Sequence, residues 1–193
     1  LSDVVEAAAV LLGELARRDE PLAARTTYRV GGVAALFVEI DGEATLRRIV
    51  DAVAATGVPT LVVGKGSNLL VAERGFDGLA LSLGDAYAEV EVLDGGVVRA
   101  GGATPLPVLA RRTAAAALTG LEWAVGVPGS VGGGVRMNAG GHGSDIAATL
   151  LRVRVADLAT GEDGDVAAAA LDLGYRRSSV AASQLVVGAE FGL

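Results

Sequence analysis

One run constrains this chain more than any other: Gly126-Val127-Pro128-Gly129-Ser130-Val131-Gly132-Gly133-Gly134-Val135-Arg136-Met137-Asn138-Ala139-Gly140-Gly141-His142-Gly143-Ser144-Asp145. A flexible linker is rich in Gly and Ser without placed apolar residues. Here Val127, Pro128, Val131, Val135 and Met137 recur between the glycines. Glycine lacks a Cβ and tolerates positive φ, so such a run lets backbone approach a bulky ligand. Backbone N–H groups can then face anionic or carbonyl oxygens. A plain glycine-rich turn is the competing reading. A second loop, Gly64-Lys65-Gly66-Ser67-Asn68, follows another apolar run. Two such loops point to a ligand with a long anionic middle and a flat end.

Composition narrows the classes. The 193 residues suffice for one large domain or two small ones, and 51% are hydrophobic. Aromatics make up 4%, so Ala, Val and Leu must build a closely packed core. The net charge of −7 argues against a nucleic-acid partner. The absence of Cys excludes thiolate chemistry, and a single His argues against a His-based metal site. No apolar run approaches the ~20 residues a membrane-spanning helix needs. The first sixteen residues lack a basic n-region and carry Asp3, Glu6 and Glu14, which disfavours a signal peptide. A chain starting at Leu is expected to be trimmed.

The spacing of Val5, Ala8, Ala9, Leu12 and Leu15 predicts a helix over Ser2–Arg18, capped by Ser2 and ended by Pro21. Thr26–Gly32 reads as a short strand entering a turn, and Val33–Ile40 as a strand. Leu46, Ile49, Val50 and Val53 predict a helix over Glu43–Thr56, stopped by Gly57 and Pro59. Thr60–Val63 is a strand feeding the Gly64 loop, giving a βαβ-like unit. Leu69–Val71 and Leu79–Leu83 read as strands. Glu89–Leu93 and Val97–Ala100 flank the hairpin signal Asp94-Gly95-Gly96. Thr104 as N-cap and Pro105 as first helical residue open a helix to about Leu118. Leu151–Leu158 and Leu185–Phe191 read as strands, and Ala167–Leu171 as one helical turn. Tyr175–Ser179 is a polar loop. Two α+β subdomains, 22–86 and 87–193, follow an N-terminal helix over 1–21. Each carries one glycine-rich loop, with the ligand expected in the crevice between them.

Nucleotide motifs decide the ligand. A Walker A loop fails, because no glycine stands five places before Gly64 and Lys65 is followed by Gly66. A Rossmann fingerprint fails at Leu69. What remains is a dinucleotide held in another fold. The Gly64–Asn68 loop would take the pyrophosphate, and the Gly126–Gly143 stretch the rest.

Five motifs stand in one order: Thr26-Thr27-Tyr28-Arg29-Val30-Gly31-Gly32, Gly64-x-Gly66-Ser67-Asn68, Gly126-Val127-Pro128-Gly129-x-Val131-Gly132-Gly133, Asn138-Ala139-Gly140 and Gly174-Tyr175-Arg176. In this the chain resembles the UDP-N-acetylenolpyruvoylglucosamine reductases from about Leu22 onward. The resemblance implies an α+β fold of the vanillyl-alcohol oxidase and p-cresol methylhydroxylase type, with FAD held non-covalently. It implies that NADPH reduces the flavin, which then delivers hydride to UDP-N-acetylglucosamine enolpyruvate, giving UDP-N-acetylmuramate for peptidoglycan in the cytoplasm. It places FAD on Gly64, Lys65, Gly66, Ser67, Asn68, Val127, Pro128, Gly129, Ser130, Gly132, Gly133, Asn138 and Gly140. It makes Arg176 the catalytic arginine, whose planar fork suits the substrate carboxylate. Tyr175 packs beside the substrate or is a half-buried core tyrosine. Arg136 faces the ligand or pairs with Asp145, Lys65 neutralises a phosphate or is a solvated loop lysine, and His142 is a bystander near the cofactor.

The family's proton-donor Ser and second acid lie in a C-terminal substrate domain, which has no counterpart before Leu193. The expectation is an FAD-binding portion, either truncated or a natural short form, that binds FAD and turns over slowly or not at all. Two other functions compete: a flavin oxidase of the same fold, and a flavin-binding module without catalysis.

Overall fold

The computed structural model describes residues 2–193. Its architecture is α+β, and the chain divides into two compact units. The first runs up to Gly84 and adds Asp157–Glu162 and Ala182–Leu185. The second holds Asp85–Ala156, Asp163–Ala181 and Val186–Leu193.

In the first unit, helix α1 covers Ser2–Leu12 and strand β1 Arg17–Pro21. Strand β2 covers Val33–Ile40, helix α2 Glu43–Thr56, strand β3 Thr60–Val62 and strand β4 Phe76–Leu83. The sheet order is β1-β2-β4-β3. Strands β2, β4 and β3 run parallel, and β1 lies antiparallel on β2 with Arg17 opposite Phe37. The expected strand–helix–strand unit is therefore present, with β4 inserted between its two strands. Helix α2 buries Leu46, Ile49, Ala52 and Val53 and ends on Gly57 at φ 65°, as its spacing predicts. The strands enclose Leu22, Ala34, Phe37, Val63, Val71 and Ala80. Fully burying Phe37 contributes roughly 1.5–3 kcal/mol.

Three expectations fail here. The first helix stops at Leu12 rather than Arg18, because Gly13 turns left-handed at φ 57°. The charged segment Arg17-Arg18-Asp19-Glu20-Pro21 becomes an edge strand, where exposed charges and a proline are tolerated. Thr26–Gly32 forms turns instead of a strand, with Arg29 at φ 55° and Gly31 at φ 115°. Leu69–Val71 is irregular, its chain following Gly31 and Gly32, and Gly32 N donates to Ala72 O at 3.0 Å.

From Asp85 onward the elements are β5 (Val90–Val92), β6 (Val97–Gly101), α3 (Leu106–Ala115), α4 (Val131–Arg136), β7 (Gly140–Gly141), β8 (Ser144–Asp145), β9 (Leu150–Asp157), β10 (Asp163–Ala167) and β11 (Gln184–Gly192). Five strands form a sheet in the order β10-β9-β11-β6-β5, and β7 pairs antiparallel with β8. The β5–β6 hairpin turns through Gly95 and Gly96, both at positive φ, as Asp94-Gly95-Gly96 predicts. The core packs Leu106, Leu109, Trp123, Val131, Val135, Val153, Val186 and Phe191.

Here too the sequence reading needs correction. Thr104 does not cap α3. Its hydroxyl donates to Glu89 O at 3.2 Å, and Pro105 occupies the cap position. That helix ends at Ala115 instead of Leu118, and Ala117 is left-handed at φ 58°. Helix α4 and strand β10 were not foreseen. The expected turn over Ala167–Leu171 is a 3-10 turn at Ala168–Ala170. On the sheet, Glu190 accepts from Arg152 at 2.7 Å and Arg99 at 3.0 Å. The Arg152 hydrogen bond is the largest influence on its carboxyl and, with help from Arg99, holds it below the usual range against the opposing effect of burial.

Candidate flavin site

The Gly64–Asn68 loop follows β3 and Val63, and its tightest constraint is internal. Gly66 sits at φ 64°, and a Cβ there would overlap the Arg25 carbonyl and lie 2.7 Å from Thr26 Cα. Thr27 N donates to Gly66 O at 3.1 Å, so two of the recurring motifs are locked together by backbone. Arg25 is itself fixed, with its guanidinium 3.7 Å from the Phe37 ring centroid and bonded to Glu20 at 2.7 Å. The N–H groups of Gly64, Lys65, Gly66 and Asn68 have no acceptor among the described residues. Ser67 is engaged. A short run of unpaired N–H groups on a loop makes an anion-binding concavity. Lys65 is exposed, with no ion pair among the described residues.

In the second unit the remaining motifs converge. Ser130 begins α4, its hydroxyl accepting from Gly133 N at 3.4 Å. Val131 N donates to Thr104 O at 2.8 Å, Gly132 N to Gly102 O at 2.9 Å and Leu106 N to Gly129 O at 3.0 Å. Gly102 and Thr104 thus strap the glycine run, a role no motif in the sequence announced. The N–H groups of Val131, Gly132, Gly133 and Gly134 are all engaged inside the protein, which removes them as anion donors. Those of Gly129 and Ser130 have no acceptor among the described residues.

The glycines divide by what a Cβ would meet. At Gly132 it would lie 3.0 Å from Val186 O, at Gly134 3.3 Å from Leu106, and at Gly140 2.6 Å from Ser144 O. These three are glycine because protein is close. At Gly126 a Cβ would meet nothing within 4 Å, and at Gly133 only Ser130 Oγ at 3.5 Å. Neither has positive φ. Packing and backbone conformation therefore leave both unexplained, and Gly133 weakens a helix besides. Both positions are open to a ligand, and the unpaired N–H groups of Gly129 and Ser130 suit its polar atoms.

Asn138 is buried at φ 40°, and its amide joins three segments. Nδ2 donates to Asp145 Oδ2 at 3.0 Å and to Gly174 O at 3.1 Å, while Oδ1 accepts from Ala147 N at 3.0 Å. Asp145 is thereby taken by Asn138, and Arg136 forms no ion pair among the described residues. Val127 lies against Gly141, 3.8 Å from where its Cβ would stand. Gly174 and Arg177 close a tight turn by mutual backbone bonds at 3.1 and 3.2 Å. Arg176 stands in that turn at φ 56°, exposed, with Nη2 donating to Gly140 O at 3.2 Å. Its neighbour Arg177 is paired to Asp172 at 3.0 Å. Tyr175 is 91% exposed, which removes the core-tyrosine reading. His142 is exposed at φ 52°. The structure thus joins Asn138, Gly140 and Arg176 through short contacts within one unit. The described residues include no group of His, Asp or Glu able to hold a metal, and no helix long and apolar enough to cross a membrane.

Known proteins share the sequence and the fold of this chain. The FAD binding domain family matches residues 34–163. The UDP-N-acetylenolpyruvoylglucosamine reductase of Synechococcus sp. (strain RCC307) is 40% identical over 171 residues, covering 89% of this chain and 56% of the relative. That of Geobacter metallireducens is 40% identical over 189 residues, covering 96% of this chain and 60% of the relative. The crystal structure of UDP-N-acetylenolpyruvylglucosamine reductase (MurB) from Thermus caldophilus superposes with a TM-score of 0.79 at 31% identity, over 91% of this chain and 62% of that one. Physcomitrella patens BBE-like 1 shares the fold at 18% identity, with a TM-score of 0.67 over 96% of this chain and 44% of that one. This chain spans less than two thirds of each of these proteins. It belongs to the FAD-binding domain family, and the relatives it is similar to include UDP-N-acetylenolpyruvoylglucosamine reductases.

Proposed function

We propose that this chain is the FAD-binding portion of a cytoplasmic UDP-N-acetylenolpyruvoylglucosamine reductase, which converts UDP-N-acetylglucosamine enolpyruvate to UDP-N-acetylmuramate with NADPH as hydride donor. Residues 22–86 and 87–193 serve as its two FAD-binding subdomains. Bound FAD supplies the two-electron relay between nicotinamide and enolpyruvyl double bond. The unpaired N–H groups of the Gly64–Asn68 loop hold the pyrophosphate. Gly126, Gly129, Ser130 and Gly133 present bare backbone to the rest of the cofactor, with Val127 and Pro128 as its apolar wall. Gly132, Asn138 and Gly140 shape that wall from behind.

Arg176 holds the substrate carboxylate. Negative charge spreads into that group as hydride reaches the alkene, so a fixed cation there lowers the barrier. Tyr175 flanks the substrate beside it, its ring centroid 5.7 Å from the guanidinium carbon. One observation carries the reading of Arg176. Its guanidinium is anchored to a carbonyl and has no carboxylate partner among the described residues, while Arg177 next to it is neutralised by Asp172.

The test is Arg176→Ala and Arg176→Lys in the full-length enzyme. Turnover should fall about 10²–10³-fold in Arg176→Ala, the scale of removing one donor to a developing charge. The Lys variant should recover only part, since an ammonium cannot bind bidentately. Flavin absorbance per protein should stay constant. Unchanged turnover, or loss of flavin in place of rate, removes Arg176 from this role.

A further inference from the structure

We infer that Asn138 is the positioning residue for Arg176, setting both the turn that carries the arginine and the carbonyl that receives it. The inference rests on the role given to Arg176 above.

Two links run from one buried amide. One Nδ2 hydrogen goes to Gly174 O, two residues before Arg176. That carbonyl also accepts from Arg177 N, so the amide grips the first residue of the turn whose third residue is Arg176. The other Nδ2 hydrogen goes to Asp145, which is paired across β7–β8 with Gly140. Gly140 O is the acceptor for Arg176 Nη2. The backbone origin of the arginine and the resting place of its guanidinium are therefore tied to the same side chain.

The amide has one workable orientation. Ala147 N–H demands an acceptor, and Gly174 O and Asp145 demand donors. Reversal would set its oxygen against two acceptors. Both N–H bonds are thus engaged within the protein, and Asn138 acts on the reaction through Arg176 instead of donating to a ligand. Its φ of 40° fits the same role. Asn is among the few residues that tolerate left-handed backbone, and Gly, the usual occupant, has no amide.

The experiment uses full-length flavoprotein with Asn138→Gly, which keeps the backbone conformation and removes the amide. Asn138→Asp keeps the acceptor for Ala147 and turns the other two bonds repulsive. Stopped-flow absorbance separates reduction by NADPH from reoxidation by the enolpyruvyl substrate. With both rates taken per bound flavin, both variants should slow reoxidation about tenfold or more, as misplacement of a catalytic group does, and should slow reduction far less. In an Arg176→Ala background the further loss should be under about twofold, because residues acting as a unit are not additive. Hydrogen exchange should show the Arg177 amide opening about tenfold faster in Asn138→Gly. Equal slowing of both half-reactions, additive losses in the double variant, or unchanged exchange would overturn the inference. If Arg176→Ala leaves reoxidation intact, the role of Arg176 falls, and exchange still decides whether Asn138 holds the turn.

Discussion

Arg176 occupies a backbone position that favours glycine, and that conflict has a measurable consequence. A non-glycine residue in left-handed backbone carries about 1–2 kcal/mol of strain. The arginine stands at φ 56°. In return its side chain makes one exposed hydrogen bond, at 3.2 Å to Gly140 O, and one cation–π contact at 5.7 Å to Tyr175. Contacts of these kinds contribute about 0.5–1 kcal/mol each when exposed. Arg176→Ala loses both contacts and keeps the strain. Arg176→Gly loses both and releases the strain, offset by about 0.4–1 kcal/mol of extra chain entropy in the unfolded state. The two variants lack the same guanidinium, so their difference isolates the backbone. Glycine should be the more stable by roughly 0.5–1 kcal/mol. For a chain of this size that is a melting-temperature difference of about 1–4 °C. Thermal unfolding followed by far-UV circular dichroism, at one FAD concentration, measures it. Turnover should be lost equally in both. Arg176→Gly melting at or below Arg176→Ala would refute the strain argument. Arg176→Gly retaining turnover would refute the functional one.

Other substitutions probe the glycines and the sheet. Gly66→Ala drives a Cβ into the Arg25 backbone, so it should cost about 1–3 kcal/mol and lower FAD content, read by unfolding and by flavin absorbance. Gly133→Ala enters open space within α4, so stability should rise by about 0.5–1 kcal/mol while FAD affinity falls in a fluorescence titration. Unchanged affinity would mean that no ligand covers Gly133. Glu190→Gln should cost about 1 kcal/mol at neutral pH, a figure discounted because Arg152 and Arg99 are half-exposed. The folded carboxyl lies below its ordinary value, so its stabilising effect is complete above the unfolded value and disappears as pH falls through the folded one. The stability gap between the unsubstituted protein and its Glu190→Gln variant should accordingly close in acid, as urea midpoints at several pH values would show.

Much of the frame was legible where periodicity and a stop signal agree. Helix α2 declares itself through Leu46, Ile49 and Val53 with Gly57 behind them, and the β5–β6 hairpin through Asp94-Gly95-Gly96. Strand β1 was not legible, because Arg17-Arg18-Asp19-Glu20-Pro21 has no apolar alternation and is held as a strand by β2 alone. Helix α4 was hidden for the opposite reason. Three consecutive glycines oppose helix, and the turn exists through Ser130 and the carbonyls of Gly102 and Thr104, distant in sequence. The order of the motifs singled out the segments to which the site is assigned here. It could not say which glycines face protein and which face open space, since that depends on Arg25, Val186 and Ser144 arriving from elsewhere.

The same limit applies to left-handed positions that are not glycine. Asn138, His142 and Arg176 all have positive φ and fall in motifs assembled within one unit. A sequence reader assigns such conformations to glycine and passes over these three. Their cost must be matched by something the side chain does, and here they part company. Asn138 is compensated in full view by three hydrogen bonds. Arg176 recovers little from the protein, and His142 is exposed with no hydrogen bond among the described residues. Strain with an internal return marks a residue that builds the site. Strain without one calls for another explanation, and for Arg176 the substrate contact proposed above supplies it, on a turn that Asn138 holds in shape.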